Sequence, residues 1–191
     1  GVIEIIDWNN NVVWSYTISD SLKCQHHDVK LLPNGNVLAI AWESKTNTEA
    51  IAQGRNPALV TDTMWSEHIL EIQPTGVTTG NVVWEWHLWD HLVQNFDNSK
   101  PNFGVIANNP QLINLNYKAS ATEVDWIHLN SIDYNPALDQ ILISSHVMSE
   151  IWVIDHSTTT AQAASHAGGN SGKGGDLLYR WGNPAAYGNG T

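Results

Sequence analysis

Cysteine is nearly absent from this sequence. Cys24 stands alone, so the chain forms no internal disulfide and no cysteine-built zinc site, and the redox compartment stays open. Cationic residues are scarce too: 8 Lys and Arg face 19 Asp and Glu, for a formal net charge of −11. A surface that tracks phosphates needs clustered Lys and Arg, which argues against a nucleic-acid partner. The same deficit argues against an anionic membrane surface, and no run is long and apolar enough to span a bilayer. The chain opens directly at strand-like GVIEII, without a charged leader or an apolar targeting core. Any signal peptide is therefore expected to have been removed or to lie upstream. Charged residues are few, at 14%, but hydrophobic ones make up 42% of the 191 positions. That excludes a disordered chain and suffices for one domain with a real core.

Tryptophan is what the sequence has in excess, 10 against 2 Phe, and it recurs at matching places. Residues 1–16 read as strand, Asn-rich turn, strand. QHHDVKLLPNGNVLAIAWE places a hairpin on the Asn34-Gly35 turn, and EIQPTGVTTGNVVWEW repeats the first pattern. Residues 44–67 are polar and loop-like. WIHLNSIDYNPALDQILISSH and WVIDHSTTT…GDLLYRWG then repeat the hairpin pair, so that Trp14, Trp84 and Trp181 fall at equivalent strands. Repeated four-stranded units predict an all-β fold, a β-propeller of four-stranded antiparallel blades. A sandwich would not place Trp at matched positions. The organisation expected is a single partial domain over 1–191. Within it, 1–16 is the end of one blade, 24–87 a blade, 88–124 an inserted loop with one or two short helices, and 125–182 a further blade. About two and a half blades cannot close a ring of at least four. The remaining blades are expected from the rest of a longer chain or from another chain.

The stretch from Asp125 to His146 carries the most unusual chemistry. Alternation in WIHLNSI predicts His128 and Asn130 on one strand face with Trp126, and Ile127, Leu129 and Ser131 on the other. A strand histidine is often only a hydrogen-bonded interior residue; the repeats argue for more. Aligning the two blades on Pro33 and Pro136 sets His27 at or beside the position of Asn130. Residues at that level of a propeller's first strands converge on the central channel, so His27, His128 and Asn130 are expected to face a common cavity. Two imidazoles and an amide there can bind an anionic tetrahedral group or donate to a leaving oxygen. His26 is expected to point the other way as a structural residue. Asp28 is expected either to orient His27 or to end the strand's hydrogen bonding. HLWDH (87–91) offers helical i, i+4 histidines but lacks the glutamate of the zinc-protease helix. AGGNSGKGGD (167–176) fails as a phosphate loop and reads as a flexible connection.

Taken in order, HHDVKLLPNGNVL, EIQPTG…VVWEWH, DWIHLNSIDY and ISSH…SEIWVIDHSTT resemble the bacterial aryl-sulfate sulfotransferases, six-bladed propellers independent of the phosphoadenosyl donor. DW-x-H-x-NS is the most specific element. The resemblance implies transfer of a sulfuryl group from a phenolic sulfate ester to a phenolic acceptor through a sulfated histidine, with neither metal nor cofactor. It implies a periplasmic or secreted setting. His27 and His128 carry over as catalytic and substrate-binding residues, and Asn130 as sulfate-binding. The family's Arg is replaced here by His146, which donates as a cation only when doubly protonated. The nucleophilic histidine is expected beyond residue 191, so this chain alone is expected to be inactive. Two other readings stand beside this one: a non-catalytic ligand- or partner-binding propeller fragment, and a metal-dependent hydrolase built on His27, His128 and His146.

Overall fold

In a computed structural model, residues 1–190 are described. The chain is all-β apart from short helices. Strands β1 (Val2–Ile6) and β2 (Val12–Thr17) form a two-stranded sheet. Their turn is held by Asp7, whose Oδ1 accepts the N–H groups of Asn9 and Asn11, both at 2.8 Å. β3 (Lys23–Leu31), β4 (Val37–Thr46), β5 (Thr63–Pro74) and β6 (Gly80–His87) form a four-stranded antiparallel meander in sequence order. The Asn34-Gly35 turn closes its first hairpin with Gly35 at φ 86°, a left-handed conformation that glycine takes without a Cβ penalty. Next come two short parallel strands, β7 (Leu92–Val93) and β8 (Ile113–Asn114). β9 (Leu129–Asn135), β10 (Gln140–Ser145), β11 (Glu150–Asp155) and β12 (Tyr179–Trp181) make the second four-stranded antiparallel meander. The paired hairpins expected from the sequence are therefore present as two sheets of four strands.

Two segments differ from expectation. The stretch 44–67 is not a loop throughout: β4 and β5 stay paired out to Thr46 and Thr63, and helix α1 (Asn47–Ala52) bridges them. Backbone pairing does not need apolar side chains, and Thr46 with Glu49 forms a capping box that starts the helix. The glycine tract 167–176, read as flexible, is held instead by hydrogen bonds. Ser171 N–H donates to Asp155 Oδ2 at 2.8 Å, and Gly174 N–H to the Gly168 carbonyl at 3.0 Å. It follows a one-turn helix α2 (Thr160–Ala163). The insertion 88–124 does carry short helical turns, at 88–90 and 106–108.

The β1–β2 sheet and the two four-stranded sheets stack through apolar faces. Ile3, Trp14 and Ile18 pack on Val37, Ala39, Leu70 and Ile72 on one side of the first four-stranded sheet. The opposite side supplies Leu38, Ile40 and Ile69 to a larger core shared with Leu129, Ile132, Ile141 and Ile143. Burial of such side chains contributes about 1.5–3 kcal/mol each. Trp14 and Trp84 are buried under the neighbouring sheet, and each indole N–H is satisfied there, by the Thr79 carbonyl and the Thr158 hydroxyl. Trp181 occupies the equivalent strand of the second sheet but is 64% exposed. Among the described residues no further sheet covers it. Polar links also cross between the four-stranded sheets: Ile132 N–H donates to Asp28 Oδ2, and His156 meets Glu71, both at 2.9 Å.

Candidate functional site

Both first strands carry an irregularity, at His26–Asp28 in β3 and, two residues past His128, at Asn130 in β9. In the first sheet Gln25 pairs with Ala41 and Val29 with Ala39, so His26, His27 and Asp28 together oppose one residue of β4. In the second, Ser131 pairs with Ser144 and Leu129 with Ser145, leaving Asn130 as an extra residue. These are β-bulges, which re-aim side chains. His27 sits at φ 51° and His128 at φ 52°, left-handed values that a non-glycine residue rarely adopts. Two such residues in contact mark a place where surrounding structure holds strained backbone, of the kind found at functional sites.

The two left-handed histidines bring their rings together. His27 Nε2 lies 3.1 Å from His128 Nε2, with ring centroids 4.5 Å apart. Behind His128, its Nδ1 meets Asp125 Oδ2 at 2.5 Å. Behind His27, its Nδ1 lies 2.9 Å from Nδ1 of His26. His26 is buried, stacks on Trp42 at 4.1 Å between centroids, and reaches Glu67 Oε2 through Nε2 at 2.9 Å. Glu67 Oε1 accepts the Leu129 N–H across the sheet boundary, at 2.9 Å. Burial lowers the His26 imidazole to about 3, with the neighbouring imidazoles of His27 and His128 adding to the effect. Burial also raises the Glu67 carboxyl well above the usual carboxylate range.

Each residue singled out from the sequence can now be placed. His27 and His128 are brought into direct contact. His146 lies beside them: its backbone N–H donates to the His128 carbonyl at 2.9 Å, and its ring is 5.5 Å from that of His128. Asn130 is exposed and accepts from the Ser144 hydroxyl at 2.5 Å. It lines a cavity of about 370 Å³ with His146, Ser144 and Glu150, and among the described residues it bonds neither imidazole. His26 does not stand apart as expected; it is the next member of the chain behind His27. Asp28 does not orient His27, since its oxygens accept from Val29 and Ile132. The alignment set His27 at or beside the position of Asn130; across the sheets the His27 ring meets His128 rather than Asn130. Strict two-residue alternation fails where a bulge adds a residue.

Sequence reasoning missed Glu67 and Asp125. Glu67 lay in the stretch read as polar loop. Asp125 carried a signal, three residues before His128 in the DW-x-H motif, at a spacing that lets a carboxylate reach back to the imidazole.

Groups able to hold a metal converge elsewhere. They are His68 with Glu85 and His87, and His91 with His166 and Asp176. His87 and His91, expected as an i, i+4 pair, fall in separate clusters because 88–90 is a tight 3₁₀ turn rather than an α-helix. A cavity of about 680 Å³, lined by Gln111, His166, Lys173 and Arg180 among others, contains none of the histidine chain.

A comparison with family models matches residues 3–164 to Arylsulfotransferase (ASST). No curated protein matches the chain.

Proposed function

We propose that this chain, which belongs to the arylsulfotransferase family, binds the sulfuryl group of an aryl sulfate at His27 and His128 and serves its transfer to a phenolic acceptor. The sheets are read as successive blades of a six-bladed propeller, with both histidines on first strands near its axis. The observation that carries the reading is the contact of His27 Nε2 with His128 Nε2, made by two bulged strands from different sheets. The match over residues 3–164 supports the substrate class. A periplasmic or secreted setting is part of the same reading and rests on the resemblance alone.

The chemistry follows from the donors. An aryl sulfate presents an anionic tetrahedral group and an aryl oxygen as leaving group. The imidazole N–H groups take sulfuryl oxygens, where charge accumulates as the S–O bond breaks. His128, backed by Asp125, passes a proton to the departing aryl oxygen. The sulfuryl group moves to a histidine nitrogen. The reverse sequence delivers it to a phenol, whose proton returns to His128. No described residue is assigned the nucleophile's part.

Binding of a chromogenic aryl sulfate to the 191-residue chain is the first test, and release of the chromophore in the presence of a phenol, measured in a chain that also supplies the nucleophilic histidine, is the second. His128→Ala and Asp125→Asn are each expected to slow turnover about 10²-fold or more. Turnover that survives both substitutions would remove this pair from the reaction.

A further inference from the structure

We propose that Glu67 and His26 are positioning residues holding one shared proton, which fixes the N–H of His27 on Nε2. An oxyanion entering between His27 and His128 is then bound with uptake of one proton onto His128. The second part rests on the anion-site reading above; the first does not.

The protons in this network can be counted. Hydrogen bonds run in series from Glu67 Oε2 to His26, from His26 to His27, from His27 to His128 and from His128 to Asp125 Oδ2. Each of these four bonds needs one proton, and three neutral imidazoles supply three. The fourth belongs to one end of the series. The Glu67 side chain is 0% exposed and that of Asp125 is 20% exposed. Burial penalises the charged form, so the proton belongs at the Glu67 end. With the proton at that end, Oε1 accepts the Leu129 N–H and an Oε2–H donates to His26 Nε2.

From that end every bond has a direction. His26 donates from Nδ1, His27 accepts at Nδ1 and so carries its proton on Nε2, and His27 donates to His128 Nε2. His128 donates from Nδ1 to Asp125. A proton moved from Glu67 to His26 would leave every bond beyond His26 unchanged. The raised carboxyl of Glu67 and the depressed imidazole of His26 agree with this order.

The consequence concerns the anion. Sulfate between the rings replaces the His27–His128 bond and requires a donor from each Nε2. His27 already has one. His128 Nε2 carries a lone pair and takes one proton from solvent, becoming an imidazolium against Asp125. The ionisable groups facing His128 are Asp125, His27, His146 and, at 6.3 Å between ring centroids, His26. Glu67 faces His26, with Asp125 acting on it at longer range.

Two measurements on the chain test this. Nitrogen-15 NMR of labelled histidines without ligand is expected to show His27 protonated at Nε2 and bare at Nδ1. Glu67→Gln keeps that tautomer, because the amide can donate to His26 and accept from Leu129; Glu67→Leu mixes the tautomers. A His27 protonated at Nδ1 in the unsubstituted chain overturns the assignment. Titration calorimetry with inorganic sulfate near pH 8, in buffers of different ionisation enthalpy, is expected to show about one proton taken up per sulfate. Binding without proton uptake overturns the second part. Absence of sulfate binding overturns the anion site and the uptake together, whereas the NMR result still decides the role of Glu67.

Discussion

At the scale of single residues, the site turns on which groups are permanent cations. None of the four imidazoles at the site, those of His26, His27, His128 and His146, carries the fixed charge of a guanidinium. His146, at 5.5 Å from the His128 ring, stands where the sulfotransferase resemblance places Arg. An imidazole is a cation only while doubly protonated; an Arg at this position is a cation throughout and forks onto two sulfate oxygens. His146→Arg is therefore expected to tighten aryl-sulfate binding about tenfold near pH 8.5 and much less near pH 5.5. The proton uptake assigned to His128 remains in both versions. Affinities measured across that range decide the point: an Arg variant no tighter at the alkaline end removes His146 from the anion site.

At the scale of elements, the bulges matter more than the strands they interrupt. His27 holds a left-handed conformation at φ 51°, with His26 and Asp28 beside it in the bulge. Its side chain is not part of the apolar core, so conformational preference should dominate its contribution to stability. His27→Gly is expected to leave the fold intact, since glycine adopts this φ freely. His27→Val places a β-branched side chain there and is expected to cost about 1–3 kcal/mol more. Urea unfolding of the two variants reads the difference. Equal stabilities would mean that the bulge relaxes without cost and that the surrounding sheet does not enforce it.

Across the whole molecule, the two four-stranded sheets are clamped at the end away from the histidine pair. His156 meets Glu71 through Nε2 at 2.9 Å and Asp139 through Nδ1 at 2.8 Å, and Asn36 also donates to Glu71. Burial opposes protonation of His156, but the hydrogen bonds and charges of Glu71 and Asp139 outweigh it and raise the imidazole. Burial likewise opposes ionisation of Glu71, while bonds to His156, Asn36 and Asn34 hold its carboxyl lower than usual. The raised histidine contributes stability that is full below the unfolded value of about 6.5 and fades as pH climbs through the native value. The lowered glutamate contributes stability that is full above about 4.5 and fades in acid. Stability from this clamp is thus expected to peak between those limits. Thermal unfolding followed against pH should lose the alkaline decline in His156→Gln; an unchanged profile would assign the decline to other groups.

How much of this was legible in the sequence depends on the range of the interaction. Asn34-Gly35, the paired hairpins and the recurrent Trp14, Trp84 and Trp181 gave the all-β class and its repeated sheets, because turns and alternation are local properties of a few adjacent residues. His27, His128 and His146 were recognisable as unusual polar groups, and the motif order pointed to the family. The bulges were not legible. They sit beside two histidines whose unfavourable φ the stacked sheets stabilise, His27 within one bulge and His128 just before the other, and one extra residue reverses every assignment made by counting. Only the tertiary structure brought Glu67 of β5 beneath His26 and set Asp125 behind His128. A carboxyl's protonation is decided by what surrounds it, and those surroundings come from strands far apart in the chain.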